Sequence, residues 1–73
     1  MRFGEEVRRR RKAMGLSQEK LADVAGFDRT YVSLIERGKR NLSLTNIVRF
    51  ARALGTTPDR LLKRTDPEAG LRE

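Results

Sequence analysis

Apolar residues along this chain recur at helical spacing in short stretches, and no stretch alternates between apolar and polar residues. Spacings of three and four residues place apolar side chains on one face of a helix. Glycine closes most of these stretches and Ser, Asp or Thr opens them, as is typical of helix C-terminal and N-terminal ends. The pattern predicts an all-α fold with five short helices, over residues 2–14, 18–25, 29–37 and 44–54 and a short one from Pro58.

Each predicted helix carries apolar residues that we expect to face a common core. They are Phe3, Val7 and Met14; Leu21, Ala22 and Ala25; Val32 and Ile35; Leu44, Ile47, Val48, Ala51 and Leu54; and Leu61 and Leu62. Arg10 and Arg11 fall beside or within the first apolar stripe, so we expect them to pair or to extend their charged ends to solvent. We predict one domain over residues 1–64, followed by a flexible polar tail over 65–73.

The composition of this 73-residue chain limits the classes of function that are possible. Lys and Arg number 17 against 10 Asp and Glu, a net charge of +7, which indicates polyanionic partners. The alternative is that the charge serves solubility alone.

The chain has no Cys and no His, so we expect no metal and no cofactor. No apolar run predicts a signal peptide or a membrane span, and we expect a cytoplasmic, nucleoid-associated protein.

Residues 18–37 have the residue types required where two helices meet at a tight turn. Ala22 is small where the helices cross, and Gly26 allows the positive φ of a sharp turn. Leu21, Val32 and Ile35 can hold the pair of helices on the core. This pattern predicts a helix-turn-helix unit, whose second helix enters the major groove of DNA.

The segment GLSQEKLADVAGFDRTYVSLIERGKRN, residues 15–41, resembles the Cro/C1-type (XRE) helix-turn-helix family, and the resemblance extends over residues 3–63. It implies a compact five-helix, lambda-repressor-like DNA-binding domain. Within the family, the segment DRTYVSLIERGKRNLSLTNI is most similar to controller proteins of restriction–modification systems, which are small homodimers that regulate the restriction and controller genes. Leu42 stands where many family members have proline, and an aliphatic residue there fits the controller subgroup.

The outward face of the third predicted helix carries the candidate base contacts. They are Arg29, Thr30, Ser33 and Leu34, and the resemblance adds Arg40 from the following loop. Arg29 is the best candidate for a bidentate contact with guanine, the alternative being an ordinary surface arginine. Leu34 is apolar on a polar face, so it either touches a thymine methyl group or lies partly in the core.

A second set of residues is expected to contact phosphates: Gln18, Tyr31, Arg37, Lys39 and Asn41. Gln18 opens a helix whose free N–H groups suit an anion, and in similar proteins this glutamine contacts a phosphate. The alternative is an exposed first-turn residue. The hydroxyl of Tyr31 can reach a phosphate while its ring packs. Phosphate contacts from Lys39 and Asn41 are implied by the resemblance, the alternative being an ordinary basic loop.

Two further groups of residues have structural roles in the prediction. Arg11 and Glu36 lie where the resemblance places an internal ion pair between the first and third helices. One recognition helix reads only about four to five base pairs, so we expect a dimer. The expected dimer-interface residues are Leu42, Asn46, Phe50 and Leu61. For Phe50 the alternative is that it completes the core of the monomer.

The sequence therefore predicts a transcriptional regulator that binds double-stranded DNA as a homodimer on a pseudo-palindromic operator. RNA polymerase is left open as a further partner, and no small-molecule ligand is expected. The nearest alternative is an antitoxin that binds a toxin protein and regulates its own operon. A non-specific architectural or RNA-binding protein is a weaker alternative, since the chain offers few aromatic residues for base stacking. We expect no enzymatic activity, because no nucleophile is paired with a base and no phosphate-binding loop is present.

Overall fold

The computed structural model describes residues 2–63, which form five helices and no strand. The helices are α1 (Phe3–Ala13), α2 (Gln18–Ala25), α3 (Arg29–Glu36), α4 (Leu44–Ala53) and α5 (Pro58–Leu62). The all-α prediction is confirmed, and the first four helices end within one residue of the predicted bounds. None of these helices is long and apolar enough to cross a membrane. The expected tail over 65–73 lies outside the described residues.

Side-chain caps begin four of the five helices. The side chains of Ser17, Asp28, Ser43 and Thr57 each accept a hydrogen bond from a backbone N–H in the first turn of the helix that follows. Such bonds satisfy N–H groups that have no partner within the helix. Because each cap is only two or three residues from its partner, these helix starts are determined locally and could be located from the sequence.

The hydrophobic core collects side chains from all five helices around Phe50, whose exposed fraction is 0%. The ring of Phe50 lies 4.7 Å from that of Phe27 and 6.0 Å from that of Phe3, measured between ring centroids. Leu61 of α5 is equally buried. Packed aromatic rings at these separations contribute beyond the area that they bury. The core is therefore centred on Phe50 of α4, with α2 packed against α4 and α3 packed against α1 and α2.

The burial of Phe50 and Leu61 corrects the expected dimer interface. Both side chains lie entirely inside the monomer, so neither has surface to offer a second copy. Two residues that were expected in the core are exposed instead. Met14 is 49% exposed and Leu44 is 73% exposed. Met14 follows the last residue of α1 and Leu44 is the first residue of α4. At these helix ends the helical spacing continues, but neighbouring helices no longer cover the side chain.

Helix α1 crosses the C-terminal end of α3 at Gly4, in unusually close contact. A Cβ atom at Gly4 would lie 2.8 Å from the carbonyl oxygen of Glu36 and still closer to that of Ile35. Because backbone atoms cannot move aside as a flexible side chain can, only glycine permits this approach. The sequence pattern did not identify this requirement. The contact holds α1 against the helix that carries half of the candidate DNA contacts.

Candidate nucleic-acid interface

Helices α2 and α3 form a helix-turn-helix unit whose turn is held by local hydrogen bonds. Gly26 ends α2 with a φ of +78°, and the N–H of Phe27 donates to the carbonyl oxygen of Ala22 at 2.8 Å. The carboxylate of Asp28 accepts from the N–H of Thr30 at 2.7 Å. These bonds end one helix and start the next within three residues. The turn itself is thereby held by bonds between residues close together in the chain.

The buried face of α3 leaves its other face free for a partner. Arg29, Thr30 and Arg37 are exposed, and Ser33 and Leu34 are half-buried. The guanidinium of Arg37 donates to the carbonyl oxygen of Ser33 at 3.4 Å, so it lies back along its own helix. A helix of eight residues is about 12 Å long and about 10–12 Å across, which fits a major groove about 12 Å wide.

The loop after α3 extends the basic surface of that helix. Lys39, Arg40 and Asn41 are exposed, and the N–H of Lys39 donates to the carbonyl oxygen of Leu34 at 2.8 Å. The guanidinium carbon of Arg40 lies 5.5 Å from the centre of the Tyr31 ring. Within residues 2–63, none of the cations on this helix and loop forms a salt bridge. Their charge is therefore free to attract an anionic partner.

The structure brings Arg11, Gln18 and Glu36 together from three helices. The guanidinium of Arg11 donates to both carboxylate oxygens of Glu36, at 2.7 and 3.1 Å, and to the carbonyl oxygen of Leu16 at 2.8 Å. The side-chain amide of Gln18 donates to the same carboxylate at 3.1 Å. An amide nitrogen has two N–H groups, so Gln18 retains one for another acceptor. This buried network orients Gln18 at the start of α2.

Tyr31 is held against α4 by a hydrogen bond. Its hydroxyl oxygen accepts from the side-chain amide of Asn46 at 2.9 Å, which leaves the hydroxyl proton for an acceptor outside the protein. Asn46 is thus engaged within the monomer, although it was expected at the dimer interface. Leu42, also expected there, is half-buried against the core.

Two charged residues of the fold were missed in the sequence analysis, Glu6 and Arg49. The buried carboxylate of Glu6 accepts from Arg9 at 2.7 and 3.1 Å and from Arg10 at 2.6 Å. Hydrogen bonds from Arg9, and then from Arg10, hold the pKa of Glu6 below its ordinary value, although burial acts to raise it. Spacings of three and four residues from Glu6 to these arginines could have revealed this cluster.

Arg49 of α4 had no local pattern to reveal it. Its Nε donates to the carbonyl oxygen of Ala25 at 3.2 Å, and its Nη2 donates to that of Gly26. These acceptors lie more than twenty residues away along the chain, so only the folded structure brings them to the guanidinium.

Comparison with known proteins finds a matching family and several similar proteins for this chain. A family model described as helix-turn-helix matches residues 7–61. Control protein C.BamHI of Bacillus amyloliquefaciens is 51% identical over 61 residues, which are 82% of this chain and 75% of that protein. The crystal structure of the restriction–modification controller protein C.AhdI from Aeromonas hydrophila superposes with a TM-score of 0.79 at 52% identity, covering 81% of this chain and 89% of the other.

A repressor solved on DNA is also similar to this chain. The P22 c2 repressor in complex with a synthetic operator superposes with a TM-score of 0.79 at 32% identity, covering 86% of this chain and 96% of the other. The family match over residues 7–61 includes α3 and the loop after it.

Proposed function

This chain belongs to the Cro/C1-type helix-turn-helix family, and we propose that it is a transcriptional regulator that binds specific sequences of double-stranded DNA. The observation that carries the proposal is the outward face of α3, which is polar and basic, forms no salt bridge to another residue among 2–63, and belongs to a helix fixed by the core. Its dimensions suit the major groove. The DNA-bound structure of a similar repressor supports the same partner.

In this proposal, α3 lies in the major groove, and residues of α2, of α3 and of the loop after α3 contact the phosphates. Base edges are contacted by Arg29, Thr30, Ser33, Leu34 and Arg40. Phosphates are contacted by Gln18, Tyr31, Arg37, Lys39 and Asn41. The second N–H of Gln18 and the hydroxyl proton of Tyr31 are both available for phosphate oxygens, because Gln18 uses one N–H on Glu36 and the hydroxyl oxygen of Tyr31 accepts from Asn46. Phosphate contacts fix the register and base contacts select the sequence.

We further propose that the protein acts as a two-fold homodimer on a pseudo-palindromic operator. Half-sites would lie roughly 34 Å apart, one turn of DNA. The start of α4, where Leu44 is 73% exposed, and the half-buried Leu42 in the loop before it offer an apolar surface for a second copy. Asn46 is half-buried and bonded to Tyr31, so only its exposed part can contact a second copy.

The similarity to controller proteins supports a more specific role, the control of a restriction–modification system. In that role the protein works in the cytoplasm at the chromosome, and RNA polymerase is a further partner wherever it activates transcription. The antitoxin alternative gains no support, since the similarities are to controller proteins and repressors.

Selection of bound duplexes from a random DNA pool by the purified protein, at near-physiological salt, tests the proposal. A two-fold symmetric sequence recovered by the protein is the expected result. Arg29→Ala should change the recovered sequence, while Arg52→Ala, which removes another exposed charge, from α4, should not. Recovery of DNA without any preferred sequence would leave only electrostatic attraction to phosphates and would refute the proposal.

A further inference from the structure

Arg49 of α4 is bound to the turn of the helix-turn-helix unit, whereas its neighbour Arg52 is exposed. The guanidinium of Arg49 donates to the last backbone carbonyl groups at the end of α2, those of Ala25 and Gly26. Its guanidinium carbon also lies 4.2 Å from the centre of the Phe27 ring. A single side chain from α4 thus contacts the end of α2 by hydrogen bonds and the turn by cation–π attraction.

The end of α2 needs such a partner. The last carbonyl groups of a helix accept no hydrogen bond from within the helix, and they lie at the negative end of the helix dipole. No basic residue lies in the last turn of α2 to supply the opposite charge. Arg49 supplies it from another helix. A Cβ atom at Gly26 would lie 2.9 Å from Nη2 of Arg49, so any side chain there would displace the guanidinium from its present position.

The ring beneath Arg49 connects the turn to α3. Phe27 precedes α3 by two residues, and its ring centroid lies 4.9 Å from that of Tyr31 in the first turn of that helix. The hydroxyl of Tyr31 is in turn bonded to Asn46, one turn before Arg49 on α4. Helix α4 therefore holds both sides of the turn, α2 through Arg49 and α3 through Asn46.

We propose that Arg49 is a positioning residue for DNA recognition, which sets the direction of α3 against α2 and α4 without contacting DNA itself. The inference rests on the proposed role of α3 as the recognition helix. If Arg49 sets this direction, its loss displaces the base-contacting side chains together. Attraction to phosphates depends less on exact geometry than a bidentate contact with a base edge does, so it tolerates a small displacement better. Sequence discrimination should therefore weaken more than non-specific binding.

The test compares Arg49→Met with Arg52→Met, which remove the same charge from the same helix. The measured quantity is the ratio of affinities for the selected operator and for a random duplex, taken over a range of salt concentrations. For Arg49→Met we expect the ratio to fall about ten-fold, the loss of roughly one base contact per site. The salt dependence of non-specific binding should match that of Arg52→Met, because neither arginine contacts a phosphate.

An equal ratio for the two variants would overturn the inference, and so would a salt dependence reduced only in Arg49→Met, which would mark Arg49 as a phosphate contact. Circular dichroism and thermal unfolding verify that both variants are folded at the assay temperature. If Arg49→Met is not folded there, Arg49→Lys takes its place against Arg52→Lys. Lysine keeps the charge but loses the planar two-point contact, so the ratio should fall in the same direction by a smaller factor.

Hydrogen exchange of the free protein separates this inference from the proposed function. The N–H groups of Phe27 and Thr30 are hydrogen-bonded in the turn that Arg49 covers. We expect both to exchange faster in Arg49→Met than in Arg52→Met, by about ten-fold if one contact of ordinary strength is lost. Equal exchange would refute the positioning role even if the wild-type protein selects an operator. Failure of the wild-type protein to select any sequence would refute the proposed function instead.

Discussion

The two faces of α3 have different tasks, although the helix has only eight residues. The inward face places Val32 and Ile35 in the core and Glu36 on Arg11. The outward face carries Arg29 and Thr30, which make no side-chain hydrogen bond or salt bridge to other described residues. The side chains of the inward face have their contacts among the described residues, and those of the outward face are available to bind another molecule.

This difference teaches that stability and DNA recognition can be altered separately in one helix. Changes on the inward face leave a buried group without its partner, so they should lower the free energy of unfolding. Changes on the outward face remove groups that are already hydrated in the free protein, so they should leave folding almost unchanged. The outward residues should act only when DNA is bound.

The largest expected effect is that of Glu36→Gln on the inward face. The substitution leaves the charge of Arg11 buried without a counter-charge, so the free energy of unfolding should fall by about 3–5 kcal/mol. Urea unfolding measures it, with Glu19→Gln, an exposed carboxylate of α2, as the control. At temperatures where the variant is folded, it should select the same operator as the wild-type protein. Unfolding at the wild-type urea concentration would show that the ion pair does not stabilise the fold.

Arg29→Ala tests the outward face. We expect operator binding to weaken by about 1–3 kcal/mol, with relaxed preference at particular base pairs of the half-site. Thermal unfolding should be unchanged, because the Arg29 side chain is exposed and forms no salt bridge to any other residue that the structure describes. Titrations of operator variants substituted at single base pairs measure the effect. An equal loss of affinity on operator and random duplexes would contradict a base contact by Arg29.

Lys39→Ala, in the loop after α3, separates the phosphate contacts from the base contacts. It should weaken binding to all sequences alike and reduce the slope of log affinity against log salt by about 1 per bound protomer. Lys12→Ala, which removes an exposed charge from α1, is the matched control and should change this slope less. A sequence-dependent loss in Lys39→Ala would move Lys39 into the set of base contacts.

The smallest effect is expected at Glu6, whose partners Arg9 and Arg10 lie on its own helix. Because its pKa in the folded protein is below the ordinary value of 4.5, its contribution to stability is present above that pH and is lost as pH falls through the lowered pKa. The difference in unfolding free energy between wild type and Glu6→Gln should therefore shrink on acidification. Chemical unfolding at a series of acidic pH values measures it, and a difference that stays constant or grows would contradict the sign.

Much of the fold was predictable because its determinants are local. Caps such as Ser17 and Asp28 act on backbone groups two or three residues away, and Gly26 adopts the positive φ that its position required. The outward face of α3 was predictable for the same reason, since helical spacing separates Arg29 and Thr30 from Val32. The prediction was wrong where a helix ends, as at Leu44, because helical spacing does not say where the neighbouring helices stop.

The sequence by itself determined five helices, their caps, the turn at Gly26 and the basic outward face of α3, because each depends on residues within about one helical turn of one another. Only the tertiary structure decided that Phe50 and Leu61 fill the monomer core, since burial depends on which helices cross. The tertiary structure alone also brought Arg49 to the end of α2. Its partners are distant along the chain, and no spacing of residues encodes contacts that form only when separate helices pack together.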